Sequence, residues 1–281
     1  MERALQAVKG SWAGQLNIAV YDFPRRTESR LTFDENAQCC PVWTPDGEFL
    51  VFSNAGQLAW IRSDGGGNKK LDGMPAANRS AVPWSFSPDG KWLAFHRNEP
   101  QTGYDLWIAP VKRTGAGMQL GEPQPLLRQP GVQAAPAISP DGRWVAYGSD
   151  ELGRVEIFVM PFSAQTAPRS TKWQVSNRGA SSPVWSRDGS QLFFRGLDRR
   201  VMAVSYTIKG DSFLAGKPRP WAEKRMGDVG PIPSFDGAPD GKHIVALLDA
   251  EEARPDETHL RVLLNVGDEL HRRQAVGGRH N

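Results

Sequence analysis

Five short turn motifs recur along this chain, and an apolar segment follows each of them directly. They occupy residues 44–47, 87–90, 139–142, 186–189 and 238–241. Neighbouring motifs are about 43 to 52 residues apart, which leaves room for a sheet of four short strands. Repetition with this period predicts an array of similar small β-sheets, so the repeat constrains the fold more than any single residue does.

Each motif has the chemistry of a tight turn between two strands. In Ser-Pro-Asp-Gly at 87–90, the proline presets φ at the first central position and the aspartate is tolerated at the second. The glycine then takes the left-handed conformation from which the return strand starts. A serine or threonine ahead of the proline can bond the turn backbone. We therefore interpret these aspartates as turn residues and not as reagents.

The strand after each motif is apolar on both faces. After the first motif, Leu50, Val51 and Phe52 come in succession, and the pattern recurs at 93–95, 145–147, 192–194 and 244–246. A strand of this kind must be covered on both sides. The blades of a propeller supply that cover, because each blade lies between two others. Four large residues that directly precede motifs are predicted to fill the space between blades: Trp43, Phe86, Ile138 and Trp185.

Further strands complete the expected blades. Third strands are predicted at 58–61, 106–108, 157–160, 201–204 and 260–264. Two segments that contain proline, 124–127 and 219–221, are predicted as outer edge strands, because proline lacks the hydrogen-bond donor of a strand interior. Segments 5–8, 16–21 and 29–32 are predicted to belong to a first blade without a turn motif.

The sequence thus predicts an all-β propeller, with six blades of four antiparallel strands and an incomplete first and last blade. We expect the two ends to combine and close the ring, because an open edge exposes unpaired backbone groups. Five or seven blades stay open as alternatives. Residues 1–267 are predicted to form one domain, and 268–281 a flexible polar tail.

The repeat unit, clearest at 87–95 and 139–147, closely resembles the Pro-Asp-Gly repeat of TolB-type propellers. The last third, at 182–189, 192–194, 202–204 and 215–218, is similar to the C-terminal propellers fused to bacterial Ser/Thr protein kinases. The resemblance implies a binding or gating role. TolB itself docks protein partners in a cell-envelope complex, and propellers that precede a prolyl-oligopeptidase-type hydrolase gate access to its active site.

A search for catalytic and metal-binding motifs finds none in the sequence. Kinase motifs and the Gly-x-Ser-x-Gly elbow of hydrolases are absent, and no two of the five histidines are four residues apart. The sequence therefore predicts that the chain is not an enzyme and binds no cofactor or metal. A sensory or regulatory fragment of a larger kinase or peptidase is the alternative. A propeller hydrolase or lyase with its site at the channel mouth is the third possibility.

The charge balance and the hydropathy of the chain argue against nucleic-acid binding and membrane insertion. Lysine and arginine total 34 against 31 acidic residues, a net charge of +3 that is too even to predict nucleic-acid binding. No apolar run is long enough for membrane insertion, and the first residues do not resemble a secretory leader. We expect a monomer that is cytoplasmic as written, or periplasmic if the chain is part of a longer one.

The candidate site is a surface. Small neutral residues four to seven positions before the motif prolines are predicted to line one channel mouth and to favour a peptide-sized groove: Gln38, Cys39, Gln133, Ser181 and Ser182. Arginine pairs and a tryptophan are predicted as partner contacts if they gather on one face: Arg25, Arg26, Arg199, Arg200 and Trp221. The predicted function is protein or peptide binding.

Overall fold

The computed structural model describes residues 5–12, 15–22, 25, 27–33, 36–66, 69–70, 80–115, 117–164, 171–227, 235–237, 244–247 and 262–263. All regular structure in these ranges is β, as predicted. The same ranges contain no helix with the length and apolar character needed to cross a bilayer.

The described strands form six blade-like groups, and within each group neighbouring strands are antiparallel. The third and fourth groups are joined into one nine-stranded sheet by a short parallel pairing of Gly103 and Tyr104 with Gly131 and Val132. Blade 1 contains β1 (Leu5–Trp12), β2 (Gln15–Asp22) and β3 (Thr27–Arg30). Blade 2 contains β4 (Gln38–Trp43), β5 (Phe49–Asn54), β6 (Gln57–Arg62) and β7 (Lys69–Lys70). Blade 3 contains β8 (Ala81–Phe86), β9 (Trp92–Glu99), β10 (Gly103–Thr114), β11 (Gly117–Leu120) and β12 (Gln124–Leu127).

The second half of the chain continues the array. Blade 4 contains β13 (Gly131–Ile138), β14 (Trp144–Ser149), β15 (Glu156–Pro161) and β16 (Trp173–Gln174). Blade 5 contains β17 (Ala180–Trp185), β18 (Gln191–Gly196), β19 (Arg200–Lys209), β20 (Ser212–Ala215) and β21 (Arg219–Arg225). Blade 6 contains β22 (Phe235–Gly237), β23 (Ile244–Leu247) and β24 (Val262–Leu263). In the described part, the first and last blades have three strands each.

Several details of the strand prediction are confirmed. The two segments that contain proline form β12 and β21, which pair with the third strands β10 and β19 and lie on the outside of their blades. Strands β10 and β19 also extend past their blades, where β11 and β20 pair with the extensions as short hairpins. Leu260, the fifth turn motif and the tail at 268–281 lie outside the described residues, so ring closure stays a prediction.

Apolar cores join successive blades, because alternate side chains of the second strands of blades 2 to 5 point to opposite sides. In β5, Leu50 and Phe52 pack with blade 1, whereas Phe49 and Val51 pack with blade 3. Strands β9, β14 and β18 divide their side chains between two neighbours in the same way. The large residues predicted to fill these cores all lie in them: Trp43, Phe86, Ile138 and Trp185.

The four described turn motifs repeat one hydrogen-bond network. In the second motif, Ser87 Oγ donates to Asp89 Oδ1 at 2.6 Å and accepts from the Trp92 amide at 3.0 Å. Asp89 Oδ1 also accepts from the Lys91 amide, and the glycine has a φ of 69°. Thr44 and Ser139 make the same bonds to the aspartates of their motifs. In the fourth motif Ser186 Oγ donates to the Gln191 carbonyl at 3.0 Å, and Asp188 Oδ1 accepts from the Ser190 amide. The prediction that these aspartates shape turns is confirmed.

Each blade therefore has two ends, which we call the motif face and the crossover face. The motif face carries the turn motifs of blades 2 to 5. Successive motifs lie side by side there, since a Cβ added to Gly90 would meet Pro45 Cδ at 3.8 Å. The crossover face carries the turns between second and third strands, at 54–57, 98–103, 149–156 and 196–200, and the described parts of the connections between blades, at 31–33, 36–38, 128–131 and 175–180.

Candidate interaction face

Exposed apolar side chains concentrate on the crossover face. Of the six large apolar side chains that are exposed in the described part of the chain, four lie on this face: Phe33, Tyr104, Leu152 and Leu197. Phe33 and Leu197 are the most exposed, at 71% and 75%. Each of the four comes from a different blade, so the apolar character extends along the face and is not the property of a single loop.

The other two exposed apolar side chains lie elsewhere. Leu214 is on the β20 hairpin, which lies at the motif face because Tyr206 of the adjoining strand donates its hydroxyl to the Gly189 carbonyl at 2.7 Å. Trp221 is on the outer strand β21, where its ring packs edge-on against Phe193 at a centroid distance of 5.1 Å. The motif face is instead lined by the four turn aspartates, with Arg113 bonded to Asp46.

Two leucines and two arginines on the crossover face of blades 4 and 5 are held together by the connection between these blades. Arg154 Nη2 donates to the Asn177 carbonyl at 2.6 Å, which ties the β14–β15 turn to this connection. Leu197 lies over Gly179 of the same connection, so close that an added Cβ would meet Leu197 Cγ at 2.5 Å. Leu152, Arg154 and Arg178 are all exposed.

Two buried carboxylates anchor the crossover connections and are not free for chemistry. Asp105 accepts from Thr102 Oγ1 at 2.6 Å and from the Arg128 guanidinium at 3.2 Å. Glu156, 1% exposed, accepts from Ser176 Oγ at 2.5 Å and from the Gly179 amide at 2.8 Å. Both carboxylates thus satisfy polar groups of the chain that leads into the next blade.

An aromatic cluster continues this face toward the innermost strands. Trp84 of β8 donates Nε1–H to His96 Nδ1 at 2.9 Å, and the Tyr104 ring lies 5.1 Å from the His96 ring, centroid to centroid. Burial lowers the pKa of His96 to about 4, so this side chain is neutral at pH 7. A neutral imidazole that accepts at Nδ1 carries its proton at Nε2.

A buried ion pair lies in the same blade. Arg97 bonds Glu99 at 2.6 Å, and both side chains are 5% exposed. The Arg97 guanidinium also lies over the Trp107 ring, 3.6 Å from its centroid. These contacts fix the end of β9 beneath the crossover face.

The structure divides the predicted channel-mouth residues by burial. Gln38 and Gln133 are fully buried, while Cys39 and Ser181 are half-buried at the start of their innermost strands. Ser182 is buried and left-handed, with a φ of 53°, at a bulge that recurs at Cys40 and Ala135. All of them lie toward the crossover end of the innermost strands. Their role as a binding surface stays a prediction.

The predicted arginine pairs do not gather on one face. Arg25 follows β2 at the motif end of blade 1 and contacts Asp22 at 3.8 Å, and Arg26 lies outside the described residues. Arg199 and Arg200 are on the crossover face, where Arg200 approaches Asp198 at 3.7 Å and Glu223 at 3.8 Å. Trp221 lies on the outer strand between these faces.

The described residues contain no group of three or more acidic, histidine or cysteine side chains that could hold a metal ion. The exposed leucines of the crossover face were missed in the sequence. The signal was present, because Leu152 and Leu197 each stand in a turn among charged residues and glycine. An apolar residue at such a position has no core to enter.

Comparison with solved structures identifies the architecture. TolB from Acinetobacter baumannii matches with a TM-score of 0.61 and 15% sequence identity, over 92% of this chain and 59% of that chain. The chain has a TolB-like β-propeller fold. It spans about three fifths of the length of this TolB. No protein-family model matches the chain. The likeness of the last third to kinase-linked propellers stays a prediction.

Two enzymes share the fold. A puromycin-hydrolysing peptidase of Mycobacterium tuberculosis matches with a TM-score of 0.56 and 18% identity, over 95% of this chain and 46% of that one. An oligogalacturonate lyase in complex with manganese matches with a TM-score of 0.56 and 15% identity, over 90% of this chain and 69% of that one. The prediction that the chain is not an enzyme is wrong, because the absence of familiar catalytic motifs does not exclude catalysis in a fold that a peptidase and a lyase share. At these identities the likeness establishes the fold and not a reaction.

Proposed function

We propose that this propeller binds a protein or peptide partner through its crossover face. The observation that carries the proposal is the placement of four of the six exposed large apolar side chains of the described residues on this one face. Large apolar side chains that are exposed together on one face of a folded domain are typical of an interaction site. The match to TolB propellers is consistent with this function.

The rigidity of the face supports the same function. The turns that carry the leucines are fixed by buried anchors, such as Glu156 beneath Gly179 and the Arg154 bond to Asn177. A preformed surface loses little conformational entropy on binding, so more of the contact free energy appears as affinity. Phe33 also carries a cationic neighbour, because the Arg30 guanidinium lies 4.6 Å from its ring centroid.

The test compares matched leucine-to-aspartate variants. A partner is first isolated with the wild-type chain, and its affinity is then measured by calorimetry for the double variant Leu152→Asp/Leu197→Asp. Two lost apolar anchors reduce affinity by about tenfold or more. The control is Leu214→Asp, which places the same charge at an exposed leucine near the motif face.

Affinity that falls in the crossover variant and stays unchanged in the control supports the proposal. Equal affinity in the wild type and the crossover variant overturns it, as does an equal loss in the control. Circular dichroism and thermal unfolding confirm that each variant is folded, which is expected because all three leucines are exposed.

A further inference from the structure

The crossover face is not uniform, and its most defined part lies between blades 4 and 5. We call the blade 4–5 patch the surface formed by Leu152, Arg154, Arg178 and Leu197. The connection 175–180 joins its members, since Arg154 bonds Asn177 and Leu197 covers Gly179. Two exposed apolar side chains and two guanidinium groups therefore share one rigid support.

The exposed charge of this patch is positive. The carboxylate that balances Arg154 is Glu156, which is buried, whereas the Arg154 side chain itself is 59% exposed. Arg178 is exposed and pairs with no acidic side chain of the described residues. Arg154 presents only the remaining edge of its guanidinium group to solvent, because its Nε bonds Glu156 and its Nη2 bonds the Asn177 carbonyl.

The acidic residues of the adjoining turns already have partners within the chain, and two of them are paired with other cations. Glu151 bonds Lys172, and Asp198 approaches Arg200 at 3.7 Å. Asp150 accepts from the Val132 amide at 2.7 Å. These pairs leave Arg178 as a cation available to a partner. Guanidinium groups bind carboxylates through paired, charge-assisted hydrogen bonds.

Resting on the proposed function, we propose that the partner segment is an acidic peptide with apolar side chains, and that it docks on the blade 4–5 patch. Its carboxylates pair with Arg178 and with the exposed guanidinium edge of Arg154. Its apolar side chains cover Leu152 and Leu197. Charge complementarity selects the partner, and burial of the leucines contributes the remaining affinity.

The test uses defined peptide probes and fluorescence anisotropy with the full chain. The first probe is a short labelled peptide of alternating glutamate and leucine. Its comparisons replace glutamate by lysine, or leucine by serine. We expect binding of the glutamate–leucine peptide, with affinity at least about tenfold weaker for each comparison peptide. Rising salt concentration is expected to weaken the binding, since the charges are exposed.

Charge-reversal variants locate the site. Arg178→Glu is expected to lower the affinity for the glutamate–leucine peptide by about tenfold. The matched control is Lys209→Glu, which makes the same charge change at an exposed residue at the motif end of β19. An unchanged affinity in Arg178→Glu overturns the inference, and so does an equal loss in Lys209→Glu.

The outcomes separate this inference from the proposed function. If Arg178→Glu has no effect but Leu152→Asp/Leu197→Asp still weakens partner binding, the inferred preference for an acidic peptide is wrong. The proposal that the partner binds the crossover face is then still supported. If neither affects binding, both fail. Tighter binding to vesicles with anionic lipid than to the peptide also overturns the inference, because it assigns the cations to a lipid surface.

Discussion

His96 shows how one buried side chain couples the inner strands of the propeller to its surface. It accepts a hydrogen bond from Trp84 and packs against Tyr104, which is exposed on the crossover face. The Ala135 amide of blade 4 also approaches its Nδ1, at 3.5 Å. A protonated imidazole could not accept from either donor. The neutral form of His96 is therefore part of the contact between blades 3 and 4.

The pKa of His96 predicts that the protein loses stability in mild acid. Its pKa in the folded state is about 4, below the ordinary value of 6.5, so the unfolded chain binds more protons between these values. The stabilisation that comes from the neutral His96 side chain is complete above pH 6.5 and is lost as the pH falls toward 4. Because of this group, we expect the free energy of unfolding to fall by about 2 kcal/mol between pH 7 and pH 5.

Urea unfolding at both pH values measures this effect. The variant His96→Gln is expected to lose this part of the pH dependence while its stability at pH 7 falls as well, since the amide fills the site imperfectly. The comparison is between the changes from pH 7 to pH 5 and not between the absolute stabilities. Identical changes in the wild type and the variant would show that His96 does not titrate in this way.

The surroundings of a single side chain can seldom be predicted from the sequence alone. In the sequence, His96 is a lone histidine in an apolar strand. This pattern predicts partial burial of His96, but it predicts neither the hydrogen bond from Trp84 nor the lowered pKa. Both depend on residues from β8 and β10 that come together only in the folded sheet. The exposed leucines, by contrast, could have been found from their polar neighbours in sequence.

Among the elements of the fold, the turn motif was the most predictable. Its donors and acceptors lie within five residues of one another, so local chemistry determines its geometry. A hydrogen bond from the Ser87 hydroxyl and a smaller effect of the Lys91 amide lower the pKa of Asp89 below its usual value. The ionised carboxylate is therefore part of the folded turn. The bulge at Cys40, Ala135 and Ser182 was not predicted, because none of these residues favours a positive φ.

Removing the hydroxyl of one motif tests the network. Ser87→Ala loses the bonds to Asp89 and to the Trp92 amide, and we expect about 1 to 2 kcal/mol lower unfolding free energy. The control is Ser87→Thr, which should be nearly neutral because Thr44 makes the same contacts in the first motif. Chemical denaturation measures both variants, and equal stability of Ser87→Ala and the wild type contradicts the expectation.

The same variant has a signature in acid. The pKa of Asp89 is lower in the folded protein than its ordinary value of about 3.8. The stability that this carboxylate contributes is therefore fully present above pH 3.8, and it is lost as the pH falls through the folded pKa. In Ser87→Ala the Asp89 pKa is expected to rise toward its ordinary value. A titration of the carboxylate by nuclear magnetic resonance follows this shift directly, and an unchanged pKa would exclude the hydroxyl as its cause.

Across the whole molecule, stability is divided among cores that each join two consecutive blades. Sequence neighbours in one strand, such as Leu50 and Val51, belong to different cores. Residues far apart in sequence, such as Val51 and Leu93, share one. The repeat period and the strands that are apolar on both faces predicted this arrangement. Which loops would present a binding surface was not predicted, since that depends on how the blades align side by side.

Double substitutions distinguish these relationships. We expect Leu50→Ala and Val51→Ala to destabilise additively within about 0.5 kcal/mol, although the residues are adjacent, because their cavities open into separate cores. Val51→Ala and Leu93→Ala are expected to couple by about 0.5 kcal/mol or more. Denaturation of the single and double variants gives both coupling energies. Coupling in the first pair and additivity in the second would contradict the division into separate cores.

The repeated turn network also bears on how such a chain can arise. Each described motif carries its own hydroxyl, carboxylate and glycine, and each second strand of blades 2 to 5 offers one apolar side to the blade before it and the other to the blade after it. A duplicated gene segment that encodes one blade therefore brings with it both surfaces needed to join its neighbours. Copies can diverge freely in their loops, so recognition can change while the ancestral unit persists.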